Sequence, residues 1–216
     1  MYFIFEGADG IGKTTLAKNF AKAIGAKYTY EPFGHTDATM ALRKQALTHT
    51  VPRIAREYLL LANRDLGFQD LTKWLSEGDV VTDRSIISGM VYALMEGFEY
   101  DDWSLMARPL LNSPIYRGAH VILCDNTEYK NKENPEDRYD GRGKEFHAEV
   151  SGTFQGALDY LRMSRGVWKH HQMVEHRYTI DFNLPEKENA DRLLKQVEKT
   201  KIAHDNSMKD QFNSLA

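Results

Sequence analysis

Cysteine is all but missing: the 216 residues hold one, Cys124. No intrachain disulfide can form, and the position of Cys124 in the apolar run HVILC reads as a small buried thiol. An excess of either charge is missing too. Lys and Arg number 28 against 31 Asp and Glu, a net −3, without the basic excess of domains that coat nucleic-acid polymers. No apolar run reaches the roughly 20 residues that span a bilayer, and no basic stretch at the N-terminus leads into an apolar segment. There is no Pro- or Ser-rich linker and no internal repeat. What is left is one domain, large enough to bury a core without disulfides or metals, expected in a reducing, cytoplasmic compartment.

Five short apolar or β-branched runs read as buried parallel strands: Tyr2–Phe5, Lys27–Tyr30, Asp79–Thr82, His120–Cys124 and Arg177–Ile180. Helical stretches separate them. Thr14–Ile24 closes at Gly25, Asp37–Leu47 follows the second strand, and Pro52 opens a long helix that stops at Gly78. Lys144–Arg162 and Glu186–Lys199 supply two more, and a short helix follows the third strand. Strand alternating with helix implies right-handed crossovers and a three-layer α/β domain with a five-stranded parallel sheet. Sites in such sheets lie beyond the carboxyl ends of the strands. That rule gathers residues 7–14, Glu31–Phe33, Asp83, Arg84 and Asp125 along one edge. The single domain is residues 1–200. Within it, about 127–145 is a polar segment suited to a lid, and 201–216 reads as a frayed polar tail.

The first strand runs into GADGIGKT, which fits G-x-x-x-x-G-K-[ST] with Gly7, Gly12, Lys13 and Thr14 in place. Placed between a strand and an amphipathic helix, this is a phosphate loop, and the fold is of the P-loop NTPase type. Gly7, Gly10 and Gly12 let the backbone turn tightly, so that Asp9, Ile11, Thr15 and their neighbours offer N–H groups to phosphate oxygens. Lys13 reaches the β/γ-phosphates of a bound nucleotide and the Thr14 hydroxyl takes a Mg²⁺ position.

Three P-loop classes predict different companions. A GTPase needs Asn-Lys-x-Asp, and the nearest string, Asn131-Lys132-Glu133-Asn134, lacks the aspartate. A motor-type ATPase pairs its strand-end aspartate with a glutamate, whereas here Arg84 follows Asp83. A cation at that edge suits a second anion, which favours a kinase for a small phosphorylated acceptor. At this point the chain resembles the thymidylate kinases. The strings that carry the resemblance are FEGADGIGKTT, EP at 31–32 with Thr36, LLLANR at 59–64, DRSIISGMVY at 83–92, DR at 137–138 and SGTFQGAL at 151–158.

The resemblance implies transfer of the ATP γ-phosphoryl to dTMP. It implies that Asp9 binds the acceptor's sugar hydroxyl, Arg84 its phosphate and Arg64 a base carbonyl, and that Asp83 helps Thr14 hold Mg²⁺. It also implies that Tyr92 packs under the sugar, with Ser88 and Gln155 in the same pocket. Gly10 stands where some members carry an arginine, so charge for the transferring group falls to the lid, to Arg138 first and Arg142 second, with Lys130, Lys132 and Lys144 nearby. Leu60 stands where the family stacks a phenylalanine on the base, and Phe33 and Phe68 are the candidates to compensate. Members are commonly homodimers through helices flanking the acceptor site, although the sequence shows no dimer seam. Two other readings remain open: a deoxynucleoside kinase using Glu31 as base, and a nucleotide-binding regulator without transfer. His170, His171 and His176 read as solvated or capping residues rather than metal ligands. Trp74, Trp103 and Trp168 read as packing.

Overall fold

The computed structural model describes residues 1–48, 50–126, 143–163 and 173–213, and of the helix beyond Thr200 only the backbone. Five parallel strands form one sheet in the order β2-β3-β1-β4-β5. They are β1 (Tyr2–Glu6), β2 (Lys27–Tyr30), β3 (Val80–Asp83), β4 (His120–Asn126) and β5 (Val174–Ile180). β1 is central and buried along its whole length, as a continuous apolar strand in a parallel sheet should be. Seven helices are described: α1 (Lys13–Ile24), α2 (Asp37–Ala46), α3 (Arg53–Glu77), α4 (Ile86–Met95), α5 (Tyr100–Leu111), α6 (Gly143–Met163) and α7 (Glu186–Asn213). None of the described helices is long and apolar enough to cross a membrane.

Alternation along β1 sorts the two layers. Phe3 and Phe5 point to α1, where both rings meet Phe20, and α7 packs beside α1. Tyr2 and Glu6 point the other way, Tyr2 toward Tyr116 and Glu6 toward Ser85 and Ser88 at the start of α4. Register places Phe5 and Tyr30 opposite Asp83, so the loops after β1, β2 and β3 leave the sheet side by side. The strand order reverses at β1, which makes this edge the switch point where ligands bind.

Local chemistry accounts for most boundaries. Gly25 ends α1 in the left-handed region at φ 69°, and Thr36 caps α2 reciprocally with Thr39. Two differences from the sequence expectation stand out. First, α5 was not anticipated. Its signal is the helical spacing of Trp103, Ala107, Leu110 and Leu111, all buried, and Pro109 is tolerated within its last turn. Second, α7 continues as helical backbone to Asn213 instead of ending at Lys199, because no Gly or Pro interrupts residues 186–213. His176 is neither solvated nor capping. It is buried, with a ring nitrogen 2.9 Å from that of His120 on the neighbouring strand. Trp103 is fully buried and Cys124 is a buried free thiol.

Candidate active site

The loop after β1 turns on three residues of positive φ: Gly7 at 140°, Gly10 at 74° and Gly12 at 86°. Gly7 is demanded twice, by its backbone angle and because a Cβ there would lie 2.5 Å from the Cys124 carbonyl oxygen. Gly12 is the N-cap of α1 and leaves the first turn without a side-chain cap, so its N–H groups remain for an anion. The loop forms one wall of a 470 Å³ cavity. The facing wall, Asp181 and Phe182 from the β5–α7 connection and Asn189 from the start of α7, escaped the sequence reading. Asn189 holds that turn together, accepting from the Asp181 N–H at 3.1 Å and donating to the Asp181 carbonyl at 2.8 Å.

Lys13 is 5% exposed and donates to Asp83 Oδ1 at 3.0 Å, while the Thr14 hydroxyl donates to Oδ2. Burial pushes the Asp83 carboxyl up, but Lys13 and Arg84 outweigh it and hold the group below its ordinary range. Asp83 and Thr14 thus put a carboxylate and a hydroxyl together beside the phosphate loop. Such a pair of oxygens fits Mg²⁺, which takes one or two protein ligands and completes its shell with water and phosphate.

Arg84 is the one non-glycine residue with positive φ among those described, at 74°. A backbone N–H bond to the Phe5 carbonyl, at 2.8 Å, fixes it there. Its guanidinium pairs with Asp9, donates to Ser88 Oγ at 2.9 Å and to the Tyr92 hydroxyl at 3.4 Å, and lies over the Tyr92 ring, 5.1 Å from its centroid. Tyr92 in turn donates to the other Asp9 oxygen. Burial is the largest single influence on Asp9 and pushes it up, but the charges of Arg84 and Lys13 and the hydrogen bonds from Tyr92 and Arg84 together hold it below its ordinary range. Beneath this group lies Glu6, wholly buried, accepting from the hydroxyls of Ser85 and Ser88. Burial raises its pKa, with those hydroxyls opposing. Glu6 had no role of its own in the sequence reading. Its role follows from β1 facing α4, a tertiary fact.

Arg64, on α3, is 2% exposed. Its Nε donates to Glu31 Oε2 at 2.8 Å, and its Nη atoms lie 3.3 Å from the Ser85 carbonyl and 3.5 Å from that of Leu60. Glu31 is pushed up to about 7 by burial, against the pull of Arg64. Leu60, one turn before Arg64, is half-buried.

Two expected contacts are not made. Phe33 is 0% exposed, packed edge-on against Phe68 in a notch at Gly67, where a Cβ would come within 2.0 Å of the ring. Its backbone is locked to the Asn63 amide at 2.7 and 2.9 Å, so the ring belongs to the core. Gln155 does not join Arg84, Ser88 and Tyr92. It bonds to Asp159 at 2.9 Å and to Arg177 on β5. The reason is the rotation of α6, whose Thr153 and Gly156 face Met95 and Tyr100. Arg138 and Arg142, with Lys130 and Lys132, lie outside the described residues, as does the side chain of Lys144.

The family model described as thymidylate kinase matches residues 5–155. The chain belongs to the thymidylate kinase family. The matched region holds the phosphate loop, Arg64, Arg84 and Tyr92, while β5 and α7, the facing wall of the cavity, lie beyond it. Relatives include the thymidylate kinase of Campylobacter jejuni subsp. doylei, 40% identical over 106 residues, 47% of this chain and 53% of that one. The thymidylate kinase of Helicobacter pylori strain P12 is 38% identical over 104 residues, 46% of this chain and 53% of its own. The matched stretch therefore spans about half the length of these relatives. Among solved structures, thymidylate kinase from Ehrlichia chaffeensis superposes with a TM-score of 0.66 at 18% identity, over 91% of this chain and 98% of that one. The thymidylate kinase from Candida albicans gives 0.63 at 19% identity, over 93% and 92%. At that identity the likeness speaks for the fold, that of a P-loop NTPase.

Proposed function

We propose that the chain is a nucleoside monophosphate kinase that transfers the γ-phosphoryl of ATP to dTMP or a closely related pyrimidine deoxynucleotide. One observation carries the reading. The loop that cradles one set of phosphates is tied through Asp9 to Arg84, a second anion grip on the adjoining strand end. Two anions held end to end meet the need of phosphoryl transfer for alignment and charge neutralisation more than for covalent help.

In this reading Lys13 and the loop N–H groups hold the β- and γ-phosphates. Arg84 takes the acceptor's phosphate, in the bidentate manner that lysine cannot copy. Asp9 exchanges its present partners for the sugar hydroxyl, and Tyr92 stays beneath the sugar. An acceptor phosphate oxygen attacks the γ-phosphorus, the bond to the β–γ bridging oxygen breaks, and ADP leaves. The acceptor is already anionic, so no strong base is required. Mg²⁺, held by Thr14 and Asp83, would neutralise charge on the donor phosphates. Arg138 and Arg142 are the candidates to meet charge on the transferring group, since Gly10 brings none. A cytoplasmic setting is supported by the single buried thiol. A homodimer is supported by the stripe of exposed apolar side chains Ile54, Tyr58 and Leu66 along α3.

The test is ADP release from Mg·ATP with dTMP, dUMP, modified pyrimidine monophosphates and thymidine as acceptors. The reading expects turnover with the monophosphates and none with thymidine. Turnover confined to thymidine, or no acceptor-dependent release, would overturn it.

A further inference from the structure

The guanidinium of Arg64 is held from three directions by groups that no binding role explains. Glu31, at the end of β2, takes its Nε edge at 2.8 Å. The Ser85 carbonyl takes one Nη at 3.3 Å. Gly89 on α4 lies flat against the group, since a Cβ there would stand 3.0 Å from Nη2 and 3.1 Å from both Cζ and Nη1. Glu31 is itself 3% exposed, and its second oxygen is buried without a hydrogen-bond partner. A carboxylate left half satisfied inside a protein is costly, and what it does in exchange is fix one nitrogen of one arginine. Glu6, Tyr2 and Tyr116 are the other titratable groups around it, from β1 and the turn before β4.

We infer that Glu31 is a positioning residue for acceptor recognition. It grips Arg64 by Nε against the flat surface of Gly89, so that the Nη edge beside Leu60 is presented to a carbonyl of the acceptor base. This rests on the reading of Arg64 as the base contact. Arginine offers five donors in a rigid fork; with Nε given to Glu31 and one Nη N–H each to the Ser85 and Leu60 carbonyls, two Nη N–H groups remain for the ligand in one orientation. The consequence is selectivity for a base with a carbonyl at that point, as in thymine, over one with an amino group there, as in cytosine. In the absence of the usual aromatic ring at position 60, the orientation of Arg64 carries a larger share of that choice.

The experiment compares the wild type with Glu31→Gln, Gly89→Ala and Arg64→Ala. It measures kcat and KM for dTMP and for ATP, Ki for dCMP as a competing ligand, and the melting temperature. Glu31→Gln keeps the shape and removes the charge that grips Nε. Gly89→Ala adds a methyl group against the guanidinium while favouring the helix it sits in, so it keeps the test alive if the buried Glu31 variant fails to fold. The inference expects both to raise the KM for dTMP roughly tenfold, the scale of a lost charge-assisted hydrogen bond. The KM for ATP and kcat should stay within about twofold, and the ratio of Ki(dCMP) to KM(dTMP) should fall. Folded Glu31→Gln and Gly89→Ala variants with a wild-type ratio, while Arg64→Ala lowers it, would overturn the positioning role alone. A ratio unmoved by Arg64→Ala would overturn the base-contact reading and this inference with it.

Discussion

Arg84 adopts a left-handed backbone conformation that costs a non-glycine residue on the order of 1–3 kcal/mol, and the bond from its N–H to Phe5 is what holds it there. The strain aims the side chain back over the phosphate loop, at Asp9 and the Tyr92 hydroxyl. The two parts of Tyr92 can be separated by substitution. Tyr92→Phe loses the bond to Asp9 and keeps the ring, whereas Tyr92→Ala loses both. If the ring is the wall beneath the sugar, Tyr92→Ala lowers the preference for deoxyribo- over ribonucleotide acceptors by about tenfold or more, and Tyr92→Phe leaves it within about twofold. Kinetics with dUMP and UMP measure this, and equal loss in both variants would assign the discrimination to the hydroxyl instead.

The helices α3 and α6 illustrate what a sequence discloses at the level of an element. The phosphate loop, the Gly25 helix stop and the DR pair at the end of β3 were legible because each acts through its neighbours in the chain. The rotation of a helix was not. Gln155 turns to β5 because Gly156 must face Tyr100, and Phe33 is withdrawn from the site because Gly67 opens a notch for it. Nothing within SGTFQGAL or YEPF carries that information. Glu6, Asn63 and the Asp181–Phe182 wall were missed for the same reason, since each gains its role from an element distant in sequence. On α3 the half-buried Leu60 stands one turn from Arg64. Leu60→Phe restores an aromatic face at the expected stacking position. It should tighten dTMP binding by about 1 kcal/mol, the lower end of base–aromatic stacking. A calorimetric titration that shows weaker binding would mean that the base does not pass Leu60.

For the molecule as a whole, the apolar layers are tied together by buried charge. Glu57 on α3 accepts from the Trp103 indole of α5 at 2.9 Å, and neighbouring Arg56 pairs with Glu96 beyond α4. Burial raises the pKa of Glu57 above its ordinary 4.5, with the Trp103 hydrogen bond opposing. The folded protein therefore keeps this proton after the unfolded chain has released it. The resulting stability is fully present below about pH 4.5 and is lost as pH rises through the folded value. Glu6 and Glu31 are raised in the same direction. Glu57→Gln retains an acceptor for Trp103 and has no proton to lose, so its melting temperature should fall less than that of the wild type between about pH 4.5 and 8. Parallel curves would show that Glu57 does not titrate differently on folding.

The same view of the molecule places two anion grips on adjoining strand ends, and titration calorimetry of each nucleotide separately addresses them most directly. The proteins are the wild type, Lys13→Ala and Arg84→Ala. Arg84→Ala should weaken dTMP binding by about 10–100-fold, the scale of lost charge-assisted hydrogen bonds, and leave ATP binding unchanged. Lys13→Ala should weaken ATP and spare dTMP. Equal loss of both ligands in the Arg84 variant would contradict the account.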